Sequence, residues 1–184
     1  QPGVRVDTWW DLGVDDATAV VFVQEVGREL HFIDYVEETG EGLPFFASML
    51  DEKAKKHGYV YGEFIAPHDI NVREFGSGTT RLSTAHALGI NFQAAPKTEI
   101  ADGIETVRNE LGRTWIDEEK CAGLITCLDS YQKEWDDHHG CFKNKPLHNW
   151  ASHGADSVRN GVTGRRFFTK PPAQTIRRAG KWAV

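Results

Sequence analysis

The chain has 184 residues, the size of one domain with a full hydrophobic core, and its 40% hydrophobic and 26% charged residues exclude an intrinsically disordered segment. No apolar run approaches the roughly 20 residues that cross a bilayer, and the first residues form no apolar signal segment, so neither a membrane span nor a leader is predicted. The net charge of −6 speaks against a nucleic-acid binder, and three cysteines without a CxxC pair speak against a disulfide framework and for a reducing compartment.

The predicted elements begin with three strands. Residues 4–11 (VRVDTWWD), 17–26 (ATAVVFVQEV) and 29–38 (ELHFIDYVEE) are rich in β-branched and aromatic residues and are separated by turns short enough for antiparallel pairing. The second run is almost continuously apolar, as a strand covered on both faces is. Phe46, Leu50 and Ala54 at fourfold spacing predict a helix from Leu43 to His57, closed by Gly58. A fourth strand follows at residues 59–66, ended by Pro67, then a helix over 79–88 and a short strand over 91–95 before Pro96. Ile100, Ile104, Val107 and Leu111 mark one helical stripe. Cys121, Leu124, Ile125, Leu128, Tyr131 and Trp135 mark a longer one, Asn144–Pro146 reads as loop, and a last helix spans about 149–162. This order predicts an α/β fold, a mixed sheet with helices on both faces, in the manner of ribonuclease H-like folds. One domain is expected over residues 1–170, followed by a basic tail over 171–184.

The charge is unevenly distributed. Residues 157–184 hold seven basic groups (Arg159, Arg165, Arg166, Lys170, Arg177, Arg178, Lys181) and no acid, leaving 14 of the 21 basic residues among all 27 acidic ones. An acidic body ending in a basic stretch is expected to meet an anion at that end, with Arg159, Arg165, Arg166 and Lys170 as the candidate contacts.

Three places are candidates for chemistry. Asp11 ends the first strand in WWDLGVDDAT, where Asp15 and Asp16 follow at once. So many negative charges disfavour a bare phosphate and favour a cation. Asp69 lies just past the fourth strand in EFIAPHDI, beside His68. In LHNWASHGADSVRNGV, Asn149, His153, Asp156 and Asn160 fall on one helical face, with Ala151, Ala155, Val158 and Val162 on another. The expectation is that the apolar stripe packs on the body while His153 and Asp156 look toward a site. Three carboxylates drawn from two strand ends and a helix suit two divalent cations and phosphodiester hydrolysis; carboxylate oxygens suit Mg²⁺ or Mn²⁺, and an imidazole leans toward Mn²⁺. EFGSGTTR lacks the GK[ST] of a phosphate loop, so no nucleotide is expected there. The cluster Asp136, His138, His139, Cys141 and His148 matches no regular zinc spacing.

The ordered blocks DLGVDDAT, APHDI followed by VREFGSGTTR, IADGIETVRNELGRTWIDEEKC and PLHNWASHGADSVR resemble the C-terminal nuclease domain of the large terminase subunit of tailed bacteriophages, over about residues 4–170. That resemblance implies a ribonuclease H-like fold and a metal-dependent endonuclease that cuts concatemeric viral DNA during packaging. It implies Asp11, Asp69 and Asp156 as metal-binding acids, His153 as a site-lining histidine and Asp15 as an auxiliary acid. It further implies double-stranded DNA, a portal and a small terminase subunit as partners, and the host cell cytoplasm as location. The Walker motifs of an ATPase motor are absent, so the chain is expected to be a nuclease domain separated from a longer protein. A junction-resolvase or transposase-like nuclease, and a DNA- or portal-docking module with little activity of its own, are the alternatives.

Overall fold

The computed structural model of the protein describes residues 1–13, 16–71 and 80–168. Strands β1 (Val6–Asp11), β2 (Ala17–Val26) and β3 (Glu29–Thr39) form an antiparallel meander, followed by helix α1 (Leu43–His57), β4 (Tyr61–Ala66), α2 (Arg81–Ala87), β5 (Phe92–Ala94), α3 (Ile100–Leu111) and β6 (Thr114–Ile116). Helix α4 (Ala122–Ser130), a hairpin of β7 (Lys133–Asp136) and β8 (Cys141–Pro146), and the long α5 (Trp150–Phe168) complete the chain. The main sheet has the order β5-β4-β1-β2-β3-β6. β4 runs parallel to β1, and β5 parallel to β4.

Adjacent residues of a strand point to opposite faces, and the pair Trp9-Trp10 uses this to seed two cores. Trp10 meets Phe46 and Phe92 edge-on, with ring centroids 5.5 and 5.0 Å apart, on the face covered by α1 and α2. Trp9 meets Phe32 at 5.5 Å on the opposite face, where Leu124 of α4 and Val158 and Val162 of α5 pack. Between them β2 is buried along eight successive residues, which explains its continuous apolar run.

The chain departs from the sequence reading in four places. The stripe expected to continue helically to Trp135 stops at Ser130. Beyond it, Trp135 and Phe142 pair edge-on at 4.9 Å across the β7–β8 hairpin, so the period changes from helical to alternating. Asn144–Pro146 is accordingly part of β8, not loop. The cluster around Asp136 is this hairpin's turn: Asp136 accepts from the backbone N–H groups of His138 and His139, and Gly140 supplies the left-handed residue. β6, three residues at the sheet edge, is too short to show a period and is identified only by its pairing with β3.

The fourth departure is α5, which runs on to Phe168 and buries much of its polar face along with its apolar stripe. Its residues from Ala151 to Ala155 are all buried, as are Ser157, Val158, Asn160, Gly161, Val162 and Gly164. Small residues make this possible. A Cβ on Gly161 would lie 1.9 Å from the Trp9 ring, and one on Gly164 would lie 2.5 Å from Ile65. The helix therefore sits directly on β1 and β4, closer than ordinary side chains permit.

Candidate functional site

Parallel strands β1, β4 and β5 end at the same sheet edge, because Trp9 is level with Ile65 and Ala66 with Ala94. The loops leaving them open a cleft of about 390 Å³ lined by Asp11 and Leu12 after β1, Pro67 to Asp69 after β4, and Pro96 to Ile100 after β5. Its floor is α5, through Arg159, Asn160 and Thr163. Ligands of open α/β sheets bind at such carboxyl ends. Asn160 donates from Nδ2 to the Trp10 carbonyl at 3.2 Å and so ties α5 to the strand residue before Asp11.

Asp11 and Asp69, 58 positions apart in sequence, share this cleft. His153 is buried beneath Asp11, its Nδ1 3.5 Å from Asp11 Oδ2. Burial pushes the Asp11 carboxyl above the usual carboxylate range against the bond from His153, and repulsion from Asp156 pushes the same way. The bond to Asp11 in turn raises His153, with the charge of Asp16 assisting against desolvation. Asp156 lies one helical turn beyond His153 and is half-buried. Its Oδ1 accepts from the Tyr131 hydroxyl and from Arg159 Nε, each at 3.2 Å, and forms an ion pair with Arg159 Nη2 at 3.0 Å. Burial and the Asp156 charge keep the Tyr131 phenol protonated.

Asp16, unlike Asp15, is not among the candidates drawn from the sequence. Asp16 Oδ1 lies 3.0 Å from His153 Nε2, and its Oδ2 lies 3.2 Å from His148 Nε2. His148 Nδ1 lies 3.1 Å from the Ser152 hydroxyl. Both ring nitrogens of His153 thus face carboxylates from the two sides of the β1–β2 turn. The available signal was the HxxxxH spacing of His148 and His153 together with the doubled acid. Asp15 itself lies outside the described residues, as do Lys170 and the tail, the side chain of Arg166, and most of EFGSGTTR.

Two of the expected anion contacts are engaged by acids. Arg159 is bonded to Asp156. Arg165 Nε reaches Glu25 Oε2 at 3.0 Å and its Nη1 lies 3.9 Å from the buried Glu110, so its charge is neutralised within the fold.

Among the described residues no three His, Cys, Asp or Glu side chains converge tightly enough to form a ready metal cage. The donor chemistry nonetheless fits a hard divalent cation. Asp11 is desolvated and repelled by Asp156, a strain that a cation relieves, and Mg²⁺-type ions commonly take only one or two carboxylates with water and phosphate oxygens completing the shell.

Neither the protein-family models nor the curated proteins match this chain. Solved structures do match. The nuclease domain of the P22 large terminase is 17% identical with a TM-score of 0.67, over 91% of this chain and 84% of that one. The large terminase (g2p) nuclease domain of bacteriophage SPP1, solved with bound Mn, is 16% identical with a TM-score of 0.60, over 89% and 86%. The large terminase of a thermophilic bacteriophage is 16% identical with a TM-score of 0.65, over 88% of this chain but 40% of its own length. This chain therefore spans about two fifths of that longer protein and most of each isolated nuclease domain. The likeness establishes the ribonuclease H-like fold of terminase nuclease domains.

Proposed function

We propose that this chain is the nuclease domain of a bacteriophage large terminase subunit, and that it hydrolyses phosphodiester bonds of double-stranded DNA with the aid of two divalent cations, Mg²⁺ or Mn²⁺, cutting concatemeric viral DNA during packaging. The observation that carries this reading is the meeting of Asp11 and Asp69, from adjacent parallel strands, in one cleft floored by the helix that bears His153 and Asp156. The manganese bound by the SPP1 domain, which shares the fold, supports the choice of cofactor. Double-stranded DNA, a portal and a small terminase subunit are the partners this role requires, and the host cytoplasm is where it would act. Among the described residues no helix is long and apolar enough to cross a membrane.

In this reading Asp11 and Asp156 hold one cation and Asp69 completes the second position. Bound there, the cations would supply charge neutralisation at the phosphate and acidify the attacking water. His153, held between Asp11 and Asp16 through Nδ1 and Nε2, keeps one ring orientation and can carry a proton at either nitrogen without swinging. Asp16 and His148 support that orientation from the solvent side. Lys97 on the cleft wall would meet backbone phosphate, and the positive charges of Arg166, Lys170 and the tail would attract the same DNA, without reading its sequence.

Cleavage of supercoiled plasmid with Mn²⁺ tests the assignment. Asp11→Asn and Asp156→Asn are each expected to lose roughly a hundredfold or more, several kcal/mol of transition-state stabilisation. Full cleavage by both variants overturns it. A strong preference of the wild type for four-way junctions over linear duplex would replace it with the resolvase reading.

A further inference from the structure

We propose that Tyr131 and Arg159 form a clamp that presets the Asp156 carboxylate for cation binding, an inference that rests on the proposed nuclease reading. Every polar contact to the Asp156 side chain falls on one oxygen: Tyr131 Oη and Arg159 Nε donate hydrogen bonds to Oδ1, each at 3.2 Å, and Arg159 Nη2 forms an ion pair with it at 3.0 Å. Among the described residues no hydrogen bond reaches Oδ2. One oxygen is thus fixed by the protein, and the other keeps its lone pairs for a ligand.

The clamp is built into the packing. Arg159 is 17% exposed, and its aliphatic stem runs past Gly103 of α3 so closely that a Cβ there would lie 2.8 Å from Arg159 Cδ. Gly103 is therefore a slot for this side chain. Tyr131 is the residue at which α4 turns into the β7–β8 hairpin, in extended backbone conformation, so three separate elements (α4, α3 and α5) converge on one carboxylate. A freely rotating carboxylate would lose torsional freedom on binding an ion. One already held by charge-assisted bonds does not, and such outer contacts commonly govern metal affinity by ten- to hundredfold. The positive charge of Arg159 opposes a cation electrostatically, so the clamp must be tested with the charge held constant.

Tyr131→Phe removes one donor with no change of charge, and Arg159→Lys keeps the charge while losing the planar fork. Mn²⁺ binding is measured by calorimetry on wild type and both variants, with far-UV circular dichroism and metal-free melting as folding checks. Tyr61→Phe, which loses a hydroxyl bonded to the Leu50 carbonyl on the other face of the sheet, is the control. The expected result is a roughly tenfold or greater loss of Mn²⁺ affinity in Tyr131→Phe and Arg159→Lys, and none in the control. Affinity within twofold of wild type in either folded variant overturns the clamp. Tighter binding overturns it too, showing that Arg159 competes with the cation. Should Tyr131→Phe fail to fold, Arg159→Lys decides alone. A wild type that takes up no Mn²⁺ removes the nuclease reading and the clamp together, whereas binding by wild type with unchanged variants removes the clamp only.

Discussion

Replacing Gly161 by alanine tests how α5 is seated on the sheet, and with it how His153 reaches Asp11. On propensity alone the change should stabilise the helix interior by about 1 kcal/mol. In this fold the new Cβ would stand 1.9, 2.0 and 2.3 Å from Trp9 Cδ2, Cγ and Cε3. Ordinary van der Waals contact begins near 3.4 Å, so the overlap is about 1.5 Å. Trp9 is fully buried, flanked by Phe32 and by β2 and β4, and has nowhere to go. Relief must come from α5 lifting off β1, which strains the Asn160 bond to the Trp10 carbonyl and draws His153 away from Asp11. Overpacking of this kind costs about 3 kcal/mol or more, leaving a net loss of about 2 kcal/mol after the helix gain. For a chain of this length that is a fall in Tm of about 4–8 °C. Gly112→Ala is the matched comparison, since Gly112 has φ −63° and open space where the Cβ would stand. It should raise Tm slightly. Melting curves followed by circular dichroism decide: a Gly161→Ala variant as stable as wild type would refute the seating and the reason given for α5's burial.

Asp7 on β1 is desolvated and repelled by Glu63 and Glu25, which raises its carboxyl above the ordinary value of 3.8 despite the bond from the Glu63 N–H. A carboxyl raised in the folded state stabilises fully below its unfolded pKa and loses that contribution as pH rises through the folded value. Asp7→Asn should therefore match wild type near pH 3 and exceed it in Tm increasingly from about pH 4 upward; a variant less stable at neutral pH would contradict this. Trp10 Nε1 donates to the buried Thr8 hydroxyl at 2.8 Å, whereas Trp9 Nε1 is buried with no partner among the described residues. Denaturant titrations should accordingly find Trp10→Phe costlier than Trp9→Phe by about 1–2 kcal/mol, and the reverse order would be decisive against it. Finally, Mn²⁺ at a hundredfold excess over its Kd should stabilise the wild type by about 2.7 kcal/mol, about 5–10 °C in Tm. Asp11→Asn should lose most of that shift, and an equal shift in both proteins would place the ion elsewhere.

Element types were largely legible wherever one period ran long enough. The continuous apolar run of β2, the Phe46–Leu50–Ala54 spacing closed by Gly58, and the Ile100–Leu111 stripe each located their elements closely. Where two periods competed, only contacts settled the matter. Trp135 fits the end of the α4 stripe as well as it fits a strand, and its partner Phe142 across the hairpin decided between them. The acids and the histidine of the candidate site stand in the sequence as a strand-end Asp, a post-strand Asp and an HxxD pair, with the family resemblance to order them.

How those groups are held was not visible, because it depends on approach distances that no linear pattern encodes. The sequence determined the alternation that sends Trp9 and Trp10 to opposite faces and the strand ends that carry Asp11 and Asp69. The tertiary structure alone decided that α5 lies buried on those strands through Gly161 and Gly164, that Asp16 faces His153, and that Arg159 and Arg165 answer acids inside the molecule. Periodicity fixes which side of an element a residue occupies, but only packing fixes what stands opposite it, and charge and burial at a site are set by what stands opposite.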